Sequence, residues 1–243
     1  MSATEVQPSA ARPPKRSRWS RELDHFPGTG TRVVCLGIVV LATIVLYYQF
    51  YLAGAVATHI IAEYHMSFVY YVNISVVAYI LGALASYLAG LADRYGRANI
   101  VSAGLLIVGL LCLVGIPLVH SKLGFGIIFA AIGFVEGIIL VATPALIRDF
   151  SPQLGRASAM GFWTLGPVLG SLVVSIQVSN TSNSTAWQDH YIACGIVGVI
   201  VALIAAIWLR ELAPALRDQL MVSSRDRALI EARAKGIDVE ASL

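Results

Sequence analysis

One acidic residue, Glu136, lies deep inside a long apolar run, where a carboxyl group can act only under special conditions. The run covers residues 124–147, and Glu136 stands near its middle. An ionised carboxylate in hydrocarbon costs several kcal/mol unless it is paired, hydrated or protonated. Glu136 is therefore a candidate for carrying a proton or binding a cationic ligand in a cavity. The alternative is a neutral glutamic acid that hydrogen-bonds to a neighbouring helix.

Polar and aromatic side chains in the other apolar runs are further candidates for contact with a small molecule. They offer hydroxyl, amide and indole groups in apolar surroundings, which is the usual composition of a ligand pocket. Because most aromatic residues in such runs serve packing or interfacial roles, packing remains the alternative for each of them. Beside Glu136, these candidates are Tyr47, Gln49, Asn73, Trp163 and Gln177.

A short charged segment that runs from Asp93 to Arg97 interrupts the apolar sequence and offers ion-pair chemistry. It contains one acid, two arginines and Gly96, a residue that breaks helices. An aspartate at a helix end can pair with an arginine fork or with the N-terminus of a neighbouring helix. The alternative is an ordinary basic loop.

The scaffold that must position these groups is predicted to be a membrane-spanning helical bundle. Of the 243 residues, 57% are hydrophobic and 13% are charged, whereas a soluble domain carries about 25% charged residues. This composition argues against a soluble enzyme, a secreted disulfide scaffold and a disordered protein. The fold class is therefore all-α integral membrane. Six runs have the length that a transmembrane helix needs, at residues 33–57, 69–91, 99–119, 124–147, 157–178 and 191–209.

The distribution of basic residues predicts the orientation of the bundle. Sixteen of the 17 Lys and Arg residues fall in the two tails and in the second and fourth loops, which six spans put on one side. By the positive-inside rule this side is cytoplasmic. We therefore expect a multi-pass protein of the plasma (inner) membrane with both termini in the cytoplasm.

The two tails outside the spans differ in character. Residues 1–32 are predicted to be a basic, disordered cytoplasmic tail, because they are polar and rich in proline. Residues 210–243 are predicted to be a cytoplasmic amphipathic tail, since Leu212, Leu216 and Leu220 stand at helical spacing. The alternative for this second tail is a solvated segment that contacts nothing.

The charged segment resembles the signature loop of the major facilitator superfamily (MFS), written G-x-L-A-D-R-x-G-R-R/K, which joins helices two and three. Asp93, Arg94, Gly96 and Arg97 occupy the matching positions, while alanines replace the leading glycine and the last basic residue. The resemblance implies a cytoplasmic gate in which the Asp and the Arg lock the N-terminal six helices against the C-terminal six in one conformation.

The fifth apolar run contains a second segment that is similar to an MFS motif, here from the fifth helix of antiporter members. Its core is Gly166-Pro167-x-x-Gly170. Pro167 removes a backbone hydrogen bond and kinks the helix, and the two glycines let another helix approach closely. The resemblance favours export, and the alternative is a packing kink without any role in transport.

The resemblance covers nearly the whole chain but only half of the family's fold. MFS members have two six-helix halves, each made of two inverted three-helix repeats. Here the repeats are expected at residues 33–119 and 124–209. Because alternating access needs two bundles around a central site, we expect the N-terminal half of a carrier, split or truncated. Its partner is then a separate C-terminal half or a second copy of the chain.

The function that the resemblance implies is secondary active transport of a small solute, of unknown identity, by alternating access and with proton coupling. The sequence has no G-x-x-x-x-G-K-[ST] loop and no hydrolase motif. We therefore expect no enzymatic activity, no cofactor, no metal and no nucleic-acid partner, only the lipid bilayer and a small molecule. The alternative is a membrane anchor or interaction protein that does not transport, or an inactive relic of an MFS gene.

Overall fold

The computed structural model is a bundle of long apolar helices. It describes residues 21–88, 90, 95–151, 155–181, 186–214 and 216–217, to which all structural statements below refer. Six spans within these residues are long and apolar enough to cross a membrane, which confirms the predicted all-α membrane fold. The helices are α1 (Thr29–Ala55), α2 (Ala57–Glu63), α3 (Phe68–Tyr87), α4 (Arg97–Leu118), α5 (Lys122–Phe150), α6 (Arg156–Trp163), α7 (Leu165–Ser179) and α8 (Trp187–Trp208).

Serine caps fix the starts of two spans. The Ser67 hydroxyl accepts a hydrogen bond from the backbone N–H of Tyr70 at the start of α3, at 3.1 Å. Ser121 does the same for Gly124 at the start of α5, also at 3.1 Å. Each cap satisfies one of the N–H groups that a helix leaves without a partner in its first turn.

The fifth span is two helices, α6 and α7, which meet at Thr164. Pro167 explains the break, because a proline ring clashes with the carbonyl four residues earlier and cannot donate to it. That carbonyl belongs to Trp163, the last residue of α6. The predicted kink is therefore present, but residues 157–178 do not form one continuous helix.

The main helix pairs are α1 with α7, α3 with α5, and α4 with α8. The two three-helix units correspond helix by helix, α1 to α5, α3 to α7 and α4 to α8. When each helix is replaced by its counterpart, the α1–α7 pair becomes the α5–α3 pair and the α4–α8 pair stays the same. This is the pairing that two inverted three-helix repeats require. Glycines line each of these interfaces, so the helix backbones approach one another closely.

The chain segments next to the first and last spans meet at one pole of the bundle. Glu22–Leu23 (β1) and Glu211–Leu212 (β2) form a short parallel pair, with Glu22 opposite Glu211. Leu212 is fully buried and Leu23 packs against the core. Burial of these leucines and the backbone pairing order both segments.

This pairing corrects two expectations from the sequence. Residues 22–32 are not part of a disordered tail, since they form β1 and the start of α1, which begins at Thr29 rather than at residue 33. Leu212 lies in a strand and not on an amphipathic helix. Residues 1–20 and 218–243, which include Leu220, lie outside the described part of the chain.

Candidate functional site

The charged pole of the bundle contains a buried ion pair between α4 and α5. Arg97, the first residue of α4, places its Nη1 atom 2.8 Å from Oδ1 and 2.7 Å from Oδ2 of Asp149. The Asp149 side chain is fully buried, and the Arg97 side chain is 12% exposed. A charge-assisted pair of this kind holds the two helix ends in register, since either charge alone would be costly to bury.

Glu211 of β2 caps the start of the same helix. Its Oε2 atom accepts a hydrogen bond from the backbone N–H of Ala98, at 3.3 Å. Its carboxylate also lies at the N-terminus of α4, where the positive end of the helix dipole stabilises a negative charge. Burial raises the pKa of the Glu211 carboxyl above its ordinary 4.5, while the backbone donors of Ala98 and Arg97 and the charge of Arg217 act in the opposite direction.

Gly96 makes room for this cap. Its φ of +94° belongs to a backbone region that glycine tolerates and other residues rarely adopt. A Cβ atom at this position would stand only 2.3 Å from Oε1 of Glu211. The conformation of the loop therefore favours glycine, and a larger residue would also have to displace the Glu211 carboxylate from its cap.

Further arginines tie the surrounding segments to this pole. Arg21 donates from Nη1 to Ser102 Oγ of α4 at 3.2 Å, and Arg32 donates from Nε to the Phe150 carbonyl at 3.0 Å. Arg217 is buried, and its charge acts on both Asp149 and Glu211. With Arg97, six charged residues thus converge on the ends of α4, α5 and α8.

The predicted gate residues are only partly within the described chain. Gly96 and Arg97 lie in the cluster, whereas Asp93 and Arg94 fall outside the described residues. Sequence reasoning missed Asp149 and Glu211. The available signal was their placement, because each stands at or just after the end of an apolar run on the basic side of the molecule, next to arginines in the sequence.

Glu136 lies at the middle of α5, 4% exposed, and lines a cavity of about 260 Å³. Its Oε1 atom is buried and has no hydrogen-bond partner among the described residues. The cavity lies between α3 and α5, with Phe50 of α1 at one side. Its walls are almost entirely apolar or aromatic, and include Phe50, Ala78, Tyr79, Leu140 and Val141.

A seam of glycines brings α3 against α5 beside Glu136. A Cβ atom on Gly137 would stand 2.1 Å from the Gly82 carbonyl oxygen, and one on Gly82 would stand 2.7 Å from the Gly133 oxygen. Only glycine permits this approach. The seam therefore places the α3 residues of the cavity wall, Tyr79 among them, next to the carboxyl group.

The other predicted contact residues do not line this cavity. Asn73 is exposed on the outside of α3. Trp163 donates to Thr143 Oγ1 at 3.3 Å, and Gln177 accepts from the Tyr48 hydroxyl at 2.6 Å. Sequence reasoning also missed Phe50 and Tyr79, whose position against Glu136 depends on how three helices pack.

Gly166 and Gly170 of the fifth span pack against α1. A Cβ atom on Gly166 would meet Thr43 at 2.4 Å, and one on Gly170 would meet Cβ of Tyr47 at 2.6 Å. Tyr47 is half-buried over this contact and stacks on Tyr51. The glycines thus form a helix interface, with Pro167 at the break beside it.

The described residues contain no group of three or more His, Cys, Asp or Glu side chains that could hold a metal ion. The three cysteines are free and buried. The chemistry that the arrangement offers is therefore that of one buried carboxyl group in an apolar cavity and of one cluster of ion pairs at the basic pole.

Six membrane-capable helices among the described residues, with a charged cluster at one pole, define a multi-pass helical membrane protein. The sequence matches the Major Facilitator Superfamily model over residues 39–236. The chain therefore belongs to the Major Facilitator Superfamily, of which it carries a six-helix half, and members of this family are transporters rather than enzymes. No curated protein gives a significant sequence match.

Proposed function

We propose that the protein is the N-terminal half of a proton-coupled secondary transporter in the plasma membrane, with both termini in the cytoplasm. The observation that carries the proposal is Glu136, a carboxyl group buried at the centre of α5 on the wall of a cavity. A carboxyl group held in an apolar site exchanges a proton more readily than it persists as a bare anion. The second half of the carrier supplies the opposite wall.

The substrate class that fits this wall is an organic cation with aromatic or apolar surface. Among the described residues that line the cavity, Glu136 is the one that can carry a charge, and Phe50 and Tyr79 offer aromatic faces that attract cations. A cation and a proton then compete for the same carboxyl group. That competition couples export of the cation to entry of a proton, the direction that the Gly166-Pro167-x-x-Gly170 motif also favours.

The charged cluster at the basic pole acts as the cytoplasmic gate in this proposal. The Arg97–Asp149 pair fixes the ends of α4 and α5, and Glu211 joins the end of the last span to the start of α4. The half therefore moves as one body when the carrier changes conformation. Asp93 and Arg94 belong to the same sequence motif and are proposed to take part in the same gate.

Ethidium efflux tests the proposal, because ethidium is an aromatic cation whose fluorescence reports its location. Inverted membrane vesicles that contain the chain together with its C-terminal half are loaded with a pH gradient. We expect wild-type vesicles to move ethidium, and Glu136→Gln vesicles to lose this movement when both proteins are inserted in equal amounts. Glu63→Gln, the same change at an exposed carboxylate that does not line the cavity, is the matched control and retains transport.

Equal ethidium movement in wild-type and Glu136→Gln vesicles contradicts the role of Glu136. Absence of any movement, with stable insertion and with the C-terminal half bound, favours the membrane-anchor alternative.

A further inference from the structure

The cavity beside Glu136 is small for an aromatic cation with several rings. Its volume is about 260 Å³, whereas pockets that enclose a drug-sized molecule have volumes of about 300–1,000 Å³. On this half of the carrier, such a cation can therefore place only its charged group beside the carboxyl. Its remaining rings need further surface next to the cavity.

Phe50 joins the wall of the cavity to other aromatic side chains of α1. Its ring centroid lies 5.3 Å from that of Tyr79, which also lines the cavity. It lies 5.5 Å from the Tyr51 ring and 6.4 Å from the Tyr47 ring. The rings of Tyr47 and Tyr51 stack on each other, with 5.8 Å between their centroids. The aromatic surface of the cavity thus continues along α1 beyond the cavity itself.

The two tyrosines are held in place by their neighbours and are still partly accessible. They stand four residues apart on α1, so they share one face of the helix. Tyr47 is fixed by α7, because a Cβ atom on Gly170 would stand only 2.6 Å from Cβ of Tyr47. Both side chains are half-buried. A tyrosine held in this way offers a large, rigid contact area at low entropic cost.

We propose that Tyr47 and Tyr51 form a second subsite, which binds the aromatic rings of the cation whose charged group lies beside Glu136. Aromatic rings gain from stacking on tyrosine beyond the area that they bury. A compact aliphatic cation reaches Glu136 and does not extend to this pair. The pair therefore sets a preference for aromatic cations with several rings over aliphatic cations of equal charge. The inference rests on the proposed function, since it takes the cation at Glu136 from it.

The alternative is that the two rings only pack α1 into the bundle. The two roles make different predictions for a variant that removes one ring. A packing role lowers the stability of the chain and weakens the binding of all cations alike. A role as a subsite weakens the binding of aromatic cations alone.

The binding of two cations to the purified chain in detergent tests the subsite. Ethidium is followed by its fluorescence, and tetramethylammonium by calorimetry. We expect Tyr51→Leu to weaken ethidium binding about tenfold, as loss of one stacking ring would, and to change tetramethylammonium binding less than about twofold. Tyr51→Phe keeps the ring and should restore ethidium binding.

Tyr70→Leu is the matched control, because it makes the same change at a half-buried tyrosine near the start of α3. The Tyr70 ring faces Lys122, whose Nζ atom lies 5.5 Å from its centroid, and it does not line the cavity. We expect this variant to bind both cations as the wild-type chain does. Unfolding by SDS shows whether each variant is folded.

Photolabelling of the wild-type chain gives a second measurement that needs no variant. An aryl azide of ethidium is bound and illuminated, and the labelled positions are read by mass spectrometry. We expect the adducts from the ring system to fall on Tyr47 and Tyr51.

Four results overturn the subsite: no ethidium binding to the wild-type chain, equal ethidium binding to Tyr51→Leu and wild type, equal weakening of both cations in Tyr51→Leu, or adducts confined to other segments. Failure of the proposed function is a different result. Tetramethylammonium binding to Glu136→Gln as tight as to the wild-type chain refutes the role of Glu136. The effect of Tyr51→Leu on ethidium still decides the subsite in that case.

Discussion

Nη1 of Arg97 lies within 2.8 Å of both carboxylate oxygens of Asp149, a fully buried side chain that the signature loop alone does not reveal. The contact joins the start of α4 to the end of α5, two helices that belong to different three-helix units. The two units are thereby locked together at the basic pole.

Removal of one member of the Arg97–Asp149 pair should be much more costly than removal of both. Arg97→Met removes the guanidinium that pairs directly with the buried Asp149 carboxylate and leaves only the charges of Arg217 and Arg148 acting on it. We expect this change to lower the free energy of unfolding by about 3 kcal/mol. The double variant Arg97→Met/Asp149→Leu should recover most of that loss. Unfolding by SDS in mixed micelles measures the stability of the double variant and of the two single variants, Arg97→Met and Asp149→Leu. A loss in the double variant equal to the sum of the two single losses would contradict a direct interaction.

Gly96→Ala should destabilise the chain more than the same change at Gly155. Both glycines have positive φ values, but Gly155 lies in the left-handed region (φ 96°, ψ −2°), whereas Gly96 (φ 94°, ψ 126°) lies outside it, where other residues are more strained. At Gly155 nothing lies within 4 Å of the new Cβ, whereas at Gly96 it meets Glu211. We expect losses of about 1 kcal/mol for Gly155→Ala and about 2–4 kcal/mol for Gly96→Ala.

Thermal unfolding in detergent measures this difference. When Glu211→Ala is added to each variant, the difference between the two losses should become smaller, because this change removes the carboxylate oxygen that the new Cβ at Gly96 meets. A loss at Gly96 that Glu211→Ala leaves unchanged would mean that it comes from the backbone conformation and not from the Glu211 carboxylate.

Gly137→Ala should disrupt the contact between α3 and α5, because its Cβ would overlap the Gly82 carbonyl. We expect a loss of about 1–3 kcal/mol, typical of an overpacked interface. The control is Gly37→Ala in α1, where nothing lies within 4 Å, and there a gain of about 0.5–1 kcal/mol in helix propensity is expected. Unfolding by SDS compares the stability of the two variants. A Gly137→Ala chain as stable as the wild type would contradict the close contact of α3 and α5 at these glycines.

Glu211 should make the chain less stable as the pH rises. Burial raises the pKa of this carboxyl in the folded chain above 4.5, so the folded state binds the proton more tightly than the unfolded state. Stability therefore decreases with pH from about 4.5 upward, until the folded-state pKa is passed. Glu211→Gln should remove this part of the slope, which thermal unfolding of both proteins at pH 4.5 and at neutral pH can detect. A wild-type slope no steeper than that of Glu211→Gln would contradict the assignment.

The sequence predicts the spans because length and hydrophobicity decide whether a segment enters a bilayer. The position of Glu136 at mid-membrane follows from the same count. The partners of that residue do not, since Phe50 and Tyr79 reach it only through the approach of α3 to α5 at Gly82 and Gly137. Pairing across helices depends on rotation and register, which one sequence does not encode locally.

The same reasoning explains the missed members of the charged cluster. Asp149 and Glu211 are separated from Arg97 by more than 50 residues and by two or more helices. The strand pairing of Glu22 with Glu211 also escapes periodicity, because each strand has only two residues. Contacts between residues so far apart in the sequence depend on which span ends lie next to each other in the bundle, and no local pattern in the tails encodes that.

Proton release on binding of an organic cation tests the central claim most directly, because it needs only the purified chain. Ethidium is added to the protein in unbuffered detergent, and the pH change is recorded. The account predicts that the wild-type chain releases up to about one proton, as competition for one carboxyl group requires, and that Glu136→Gln releases none. Ethidium binding without proton release from the wild-type chain, or equal release from Glu136→Gln, would contradict it.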